Sequence, residues 1–187
     1  MTTPDGGQLR PPVGDADHSQ GPASAPVTLV EYGDYECPYC GAAYPIVKEI
    51  QRRLGDRLRF VFRNFPLTNA HPHAEHAAEA AEAAGAQGKF WEMHDALYEH
   101  QHELADRQLQ EHAEAVGLDV DWWVSEMEVQ AHAERVRADF MGGVRSGVNG
   151  TPTFFINGRR HDDAYDVETL VAAIKAAMPE VASAERP

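Results

Sequence analysis

The sequence predicts an α/β fold, and three observations carry the prediction. The first is a strand, helix, strand succession in the first third of the chain. The second is a long Ala-, Glu- and His-rich stretch from residue 70 to about 147, almost free of β-branched runs. The third is a late return to strand character followed by one more amphipathic helix. Each element follows from its local pattern. Residues 26–32, PVTLVEY, are β-branched and apolar, favour an extended backbone, and lead into the only two cysteines, Cys37 and Cys40. This first strand is expected to end at Cys37. From Pro38 the apolar residues Ile46, Val47, Ile50 and Leu54 recur at helical spacing, Gly55 is placed to close the helix, and Pro45 is expected to kink it. Residues 57–65, RLRFVFRNF, alternate as a second strand, and a strand, helix, strand unit suits a parallel pair.

The long helical stretch reads as four or five helices. Breaks are expected at 85–88, near 101–106, at 117–121, and around Gly142 and Gly143. Phe90, Trp91, Trp122, Trp123 and Phe140 are expected to form the core between these helices, while Glu75, Glu79, Glu82 and Glu92 read as a solvated acidic face. Residues 151–160, TPTFFINGRR, are again extended, with Asn157-Gly158 as a hairpin turn, and a last helix is expected from about 166 to 178 on Val167, Leu170, Val171 and Ile174. The resulting division is a flexible Pro-, Gly- and Asp-rich lead-in over residues 1–25, an α/β domain from 26–69 and 147–178, a helical insertion over 70–146, and a tail over 179–187.

Composition narrows the function. A hydrophobic share of 43% with 25% charged residues is ordinary for a folded chain of 187 residues, and the net charge of −14 argues against nucleic acid and anionic membrane surfaces as partners. No apolar run is long enough to cross a bilayer, and the N-terminus has neither a basic start nor an apolar centre, so a cytoplasmic location is expected. Structural disulfides are rare there, and a closely spaced cysteine pair then points to metal or redox chemistry. Zinc needs four ligands, but no second cysteine pair exists and the ten histidines are scattered. His71, His73, His76 and His94 show no HExxH pattern and read as a solvated face. Redox chemistry fits the placement better. Cys37 falls at a helix N-terminus, where unpaired N–H groups and the helix dipole favour the thiolate, and Cys40 lies one turn further in, more sheltered.

CPYC at a strand-to-helix junction, Pro45 within the helix, and the distant Gly150-Thr151-Pro152-Thr153 before a strand resemble the thioredoxin fold. The long helical insertion between the second strand and the proline strand makes the chain similar to DsbA-like thiol-disulfide oxidoreductases over roughly residues 26–178. The resemblance implies a thioredoxin-like fold in which Pro152 is cis and lies against the cysteines. With Thr151, Pro38 and Tyr39, it would contact an extended substrate. Glu31 matches the family's buried acid, six positions before Cys37, and would carry protons to and from Cys40 if burial raises its pKa. The implied activity is disulfide exchange through a mixed disulfide, Cys37 attacking and Cys40 resolving, by a monomer needing neither metal nor organic cofactor. Its partners would be protein or peptide thiols and disulfides, together with a low-molecular-weight thiol or a redox partner protein. The alternative reading is a redox-switched binding module or holdase without turnover.

Overall fold

The computed structural model describes residues 7–179. Two strands form its centre, Val27–Gly33 (β2) and Leu58–Asn64 (β3), paired in parallel from Val27 opposite Leu58 to Gly33 opposite Asn64. Each is buried along almost its whole length, as parallel strands covered on both faces must be. The connection between them is α1 (Pro38–Leu54), which contains Pro45 and gives way to a short 3₁₀ turn at Gly55–Arg57. On the other side of β2 lies Thr153–Ile156 (β4), antiparallel, joined to Arg159–His161 (β5) by Asn157 and Gly158. Both turn residues have positive φ, 48° and 79°, which is the backbone that a two-residue hairpin requires. The last helix, Val167–Ala176 (α7), is capped by the Asp166 carboxylate, which accepts the Glu168 and Thr169 N–H groups.

Strand periodicity sorts the core into two layers. Val27 and Leu29 of β2 join Phe60 and Phe62 of β3 and Phe154 and Ile156 of β4 on the face covered by α1, α7 and much of the insertion. Val30, Tyr32, Val61 and Phe155 point the other way, against Leu9, Phe65 and Val148, with Phe140 packed beside them. Glu31 therefore lies on the strand face that meets α1, beneath its N-terminus.

Between β3 and β4 run five helices, Ala74–Ala86 (α2), Phe90–Glu99 (α3), Asp106–Ala115 (α4), Val120–Glu128 (α5) and Ala133–Arg145 (α6). Three breaks fall where Gly, Gln and Asp mark them. The fourth does not. Gly142 and Gly143 lie inside α6, and the chain instead turns through Gln130, with φ of 51°, between α5 and α6. The glycines are there for close approach: a Cβ on Gly143 would come within 2.6 Å of the Phe65 ring.

Two further expectations are corrected by burial. Glu79 and Glu82 are 2% and 5% exposed rather than solvated, and Glu82 accepts hydrogen bonds from Asn64 Nδ2 at 2.7 Å and, at 2.8 Å, from His18 Nε2. His94, expected on a solvated face, is buried among aromatic rings with Nδ1 3.0 Å from the Tyr35 hydroxyl, and desolvation holds its pKa well below the usual value. Phe90 and Trp123 are in the core, whereas Trp122 is exposed.

The described part of the lead-in is not a loose appendage. His18–Gln20 (β1) pairs antiparallel with β3 and completes a sheet of order β1-β3-β2-β4-β5, while Leu9 is buried against the second layer. The cause is one buried charge. Arg63, 3% exposed, needs partners, and it donates to both carboxylate oxygens of Asp17 at 2.7 and 2.9 Å and to the carbonyls of Pro11 and Pro12. A run of Pro, Gly and Asp carries no trace of this, because the cation it serves is distant in sequence. Asp17→Ala is expected to destabilise the fold by about 3 kcal/mol or more, since it leaves a guanidinium buried without its counter-ion. A denaturant midpoint unchanged from wild type would refute that account. The residues beyond Pro179, most of the expected tail, lie outside the described ones.

Candidate active site

The cysteine loop begins where β2 stops. Asp34 turns the chain, its Oδ1 accepting the Glu36 N–H at 2.8 Å, and Cys37 then becomes the N-cap of α1 with extended dihedrals (φ −72°, ψ 121°). Pro38 occupies the first helical turn, where its missing N–H costs nothing. No side chain caps this helix, so its first N–H groups are left for the Cys37 sulfur. Gln101, from the segment after α3, fastens the loop from outside: its Nε2 donates to the carbonyls of Tyr35 at 2.7 Å and Cys37 at 3.0 Å. The amide lies across Gly41, where any Cβ would overlap Gln101 Oε1.

Both cysteines are free thiols, Cys37 3% exposed and Cys40 fully buried. The Thr151–Pro152 peptide bond is cis, and the Thr151 carbonyl stands 3.4 Å from the Cys37 sulfur. This brings the start of β4 against the cysteine pair across more than a hundred residues of chain. Pro38 and Tyr39 are exposed, Tyr39 by 66%, while Thr151 and Pro152 are partly buried. Pro38 and Tyr39 supply the exposed side of the rim around the buried sulfur.

Electrostatics separates the two thiols. The Cys40 S–H donates to the Cys37 sulfur, and this is the largest influence on it. Burial works in the opposite direction, but the Thr151 side chain and the N–H groups of Cys40 and Tyr39 add to the first effect, and the Cys37 pKa falls to about 5. The Thr151 hydroxyl is buried with no hydrogen-bond partner, which leaves it free to turn toward the sulfur. Cys40 is driven the other way, well above an ordinary thiol, by burial first and then by its bond to Cys37 and the charges of Glu31 and Cys37. Beneath them Glu31 is 2% exposed with Oε1 unpartnered, and burial, reinforced by the Cys37 charge, lifts its carboxyl to about 8. Among the described residues, no group of three or more His, Cys, Asp or Glu side chains is arranged to hold a metal ion.

All seven residues expected at the site from the sequence thus lie in or around one cluster: Glu31, Cys37, Pro38, Tyr39, Cys40, Thr151 and Pro152. Three that also shape it were not anticipated. Asp34 carried a local signal, an acid just past a strand end. Gln101 and His71 carried none, since each meets the loop only through the tertiary fold.

Comparison with known proteins agrees with this geometry. A family model described as thioredoxin matches residues 14–176. Curated relatives include a Na(+)/H(+) antiporter NhaA 1 from Salinispora arenicola, 52% identical over 163 residues, and one from Mycobacterium sp., 43% identical over 172 residues. These alignments cover 87% and 90% of this chain but only 25% and 28% of the antiporters, so the chain spans about a quarter of their length. Among solved structures, a thioredoxin-like oxidoreductase from Silicibacter pomeroyi is 28% identical with a TM-score of 0.77, covering 86% of this chain and 91% of that one. Oxidised BdbD from Bacillus subtilis matches with a TM-score of 0.74 at 24% identity over 86% and 92% of the two chains. The thiol-disulfide exchange protein α-DsbA2 from Wolbachia pipientis matches at 0.73 and 21%, over 86% of each. With its cysteine pair at the head of α1 and five helices between β3 and β4, its fold is like that of α-DsbA2 and BdbD, and this chain belongs to the thioredoxin family.

Proposed function

We propose that this protein exchanges disulfides with protein or small-thiol substrates through a mixed disulfide. The observation that carries the reading is the uncapped head of α1, where two free thiols, Cys37 and Cys40, lie one helical turn apart against Thr151 and Pro152, with surroundings that drive their pKa values in opposite directions. In the reductive direction the Cys37 thiolate attacks a substrate disulfide. A Cys37–substrate S–S bond forms, the substrate S–S bond breaks, and one substrate sulfur leaves as thiolate. Cys40 then gives its proton to ionised Glu31 and attacks the Cys37 sulfur, so the second substrate sulfur departs and the two electrons end on the substrate. The opposite direction donates the Cys37–Cys40 disulfide by the same steps reversed. A carboxyl that titrates near 8 can accept or return this proton around neutral pH. The exposed Pro38 and Tyr39, facing the partly buried Thr151 and Pro152, offer an extended peptide a place to dock beside the sulfur.

The antiporter relatives carry a similar segment within much longer polypeptides, and transport is a property of those whole proteins. The test here is chemical. Cys40→Ser incubated with glutathione disulfide or an oxidised peptide is expected to accumulate a mixed disulfide on Cys37, visible as the added mass, while the wild type turns over insulin or a mixed glutathione disulfide. No adduct on the variant and no turnover by the wild type would remove the proposal.

A further inference from the structure

The exchange steps leave one buried acid and its partner unused. The Asp34 side chain is fully buried and makes three hydrogen bonds, accepting the Glu36 N–H on Oδ1, and on Oδ2 both the Leu67 N–H at 2.8 Å and His71 Nδ1 at 2.7 Å. Its main-chain carbonyl accepts the Cys37 N–H at 3.1 Å. A parallel tie runs from the His73 N–H to Glu36 Oε2 at 2.6 Å. The loop that ends at Cys37 is thus clamped to the segment after β3, and His71 is delivered to the cysteine site. A carboxylate only accepts hydrogen bonds, so His71 Nδ1 carries a proton and Asp34 fixes the orientation of the ring.

We propose that Asp34 and His71 are a positioning pair that sets an imidazolium beside the Cys37 thiolate and stabilises the reduced protein. The inference rests on the disulfide-exchange reading and adds a charge to it. The His71 side chain is 18% exposed, and partial burial opposes its charge. The hydrogen bond with Asp34, and the charges of Asp34 and Cys37, outweigh that effect and raise its pKa. Besides His71, the titratable groups around the sulfur include Asp34 and Glu36 in the loop, Glu31 on β2, Tyr39 and Cys40 on α1 and Tyr165 ahead of α7, and these bring negative charge or none. His71 brings positive charge, so it favours whichever half of the exchange leaves Cys37 as a thiolate.

Coupling between two titrating groups is reciprocal, which gives a test that a purely structural histidine would not pass. The His71 ring is titrated by NMR in the reduced and oxidised protein and in Asp34→Asn, and Cys37 by thiolate absorbance in wild type and His71→Asn. Asparagine at position 71 retains a donor for Asp34 but not the charge. Oxidation, which removes the thiolate, is expected to lower the His71 pKa, and His71→Asn to move the Cys37 midpoint up by a measurable fraction of a pH unit. Asp34→Asn, which removes the anion that raises the His71 pKa, is expected to lower that pKa. A His71 titration identical in both redox states overturns the pair, even should either variant fail to fold. A depressed Cys37 midpoint unaltered in His71→Asn also overturns the pair but spares the exchange reading, whereas a wild-type midpoint near ~8.5 sinks both.

Discussion

Cys37→Ser is expected to abolish disulfide exchange and, in the same stroke, to make the reduced protein less stable at neutral pH. The first effect follows because serine cannot form the mixed disulfide. The second follows from linkage. A thiol that titrates near 9 when unfolded and at about 5 when folded releases its proton on folding, and at pH 7 this contributes on the order of 3 kcal/mol. The sign is that of a depressed acid: the contribution is complete above the unfolded pKa and is lost as pH falls through the folded one, in the window from about 9 down to 5. Serine removes this contribution altogether. The same thiolate is absent from the disulfide form, so the reduced protein is expected to be the more stable of the two and the couple to lie toward the oxidising end of the roughly −270 to −120 mV range. Urea midpoints of reduced wild type and Cys37→Ser at pH 5 and pH 8 provide the check. A difference that does not grow with pH would show that the sulfur is not held ionised.

Glu31→Gln pulls stability and activity apart. The wild-type carboxyl is lifted to about 8 by burial, so folding takes up a proton between the ordinary carboxyl range and that value. Native protein therefore loses stability as pH rises through this window, and at pH 7 the cost is about 3 kcal/mol. A neutral amide of the same shape never incurs it. The variant is expected to unfold at higher denaturant than wild type at pH 7, with the gap closing toward pH 4. Its chemistry should suffer, because Cys40 is buried, strongly held as a thiol, and has lost the group that takes its proton. Losing a positioned base costs roughly 10²-fold or more, and the loss should fall on resolution of a preformed mixed disulfide rather than on the first attack by Cys37. Equal resolution rates in variant and wild type would assign Glu31 a merely structural place.

Much of this was legible before any coordinates. The parallel pair at the centre, the helix between its strands, the hairpin at Asn157-Gly158 and the head of α1 at Cys37 are all local patterns: alternation, helical spacing, turn residues, a proline in the first turn. A strand that alternates places Glu31 on a definite face, and a cysteine pair four positions wide spans one helical turn, so both thiols and the acid could be located from sequence and resemblance together. What the tertiary structure alone decided is what each buried polar group meets. Asp17 reaches Arg63, Glu82 reaches Asn64, and His71 reaches Asp34, partners 46, 18 and 37 positions apart in the sequence. Gly142 and Gly143 read as a helix break because glycine weakens a helix locally, whereas here Gly143 makes room for the Phe65 ring and Gly142 lies close against Tyr32, Arg10 and Pro11. Backbone preference is written in neighbouring residues. The cost of a buried charge is settled only by whatever the rest of the chain folds against it.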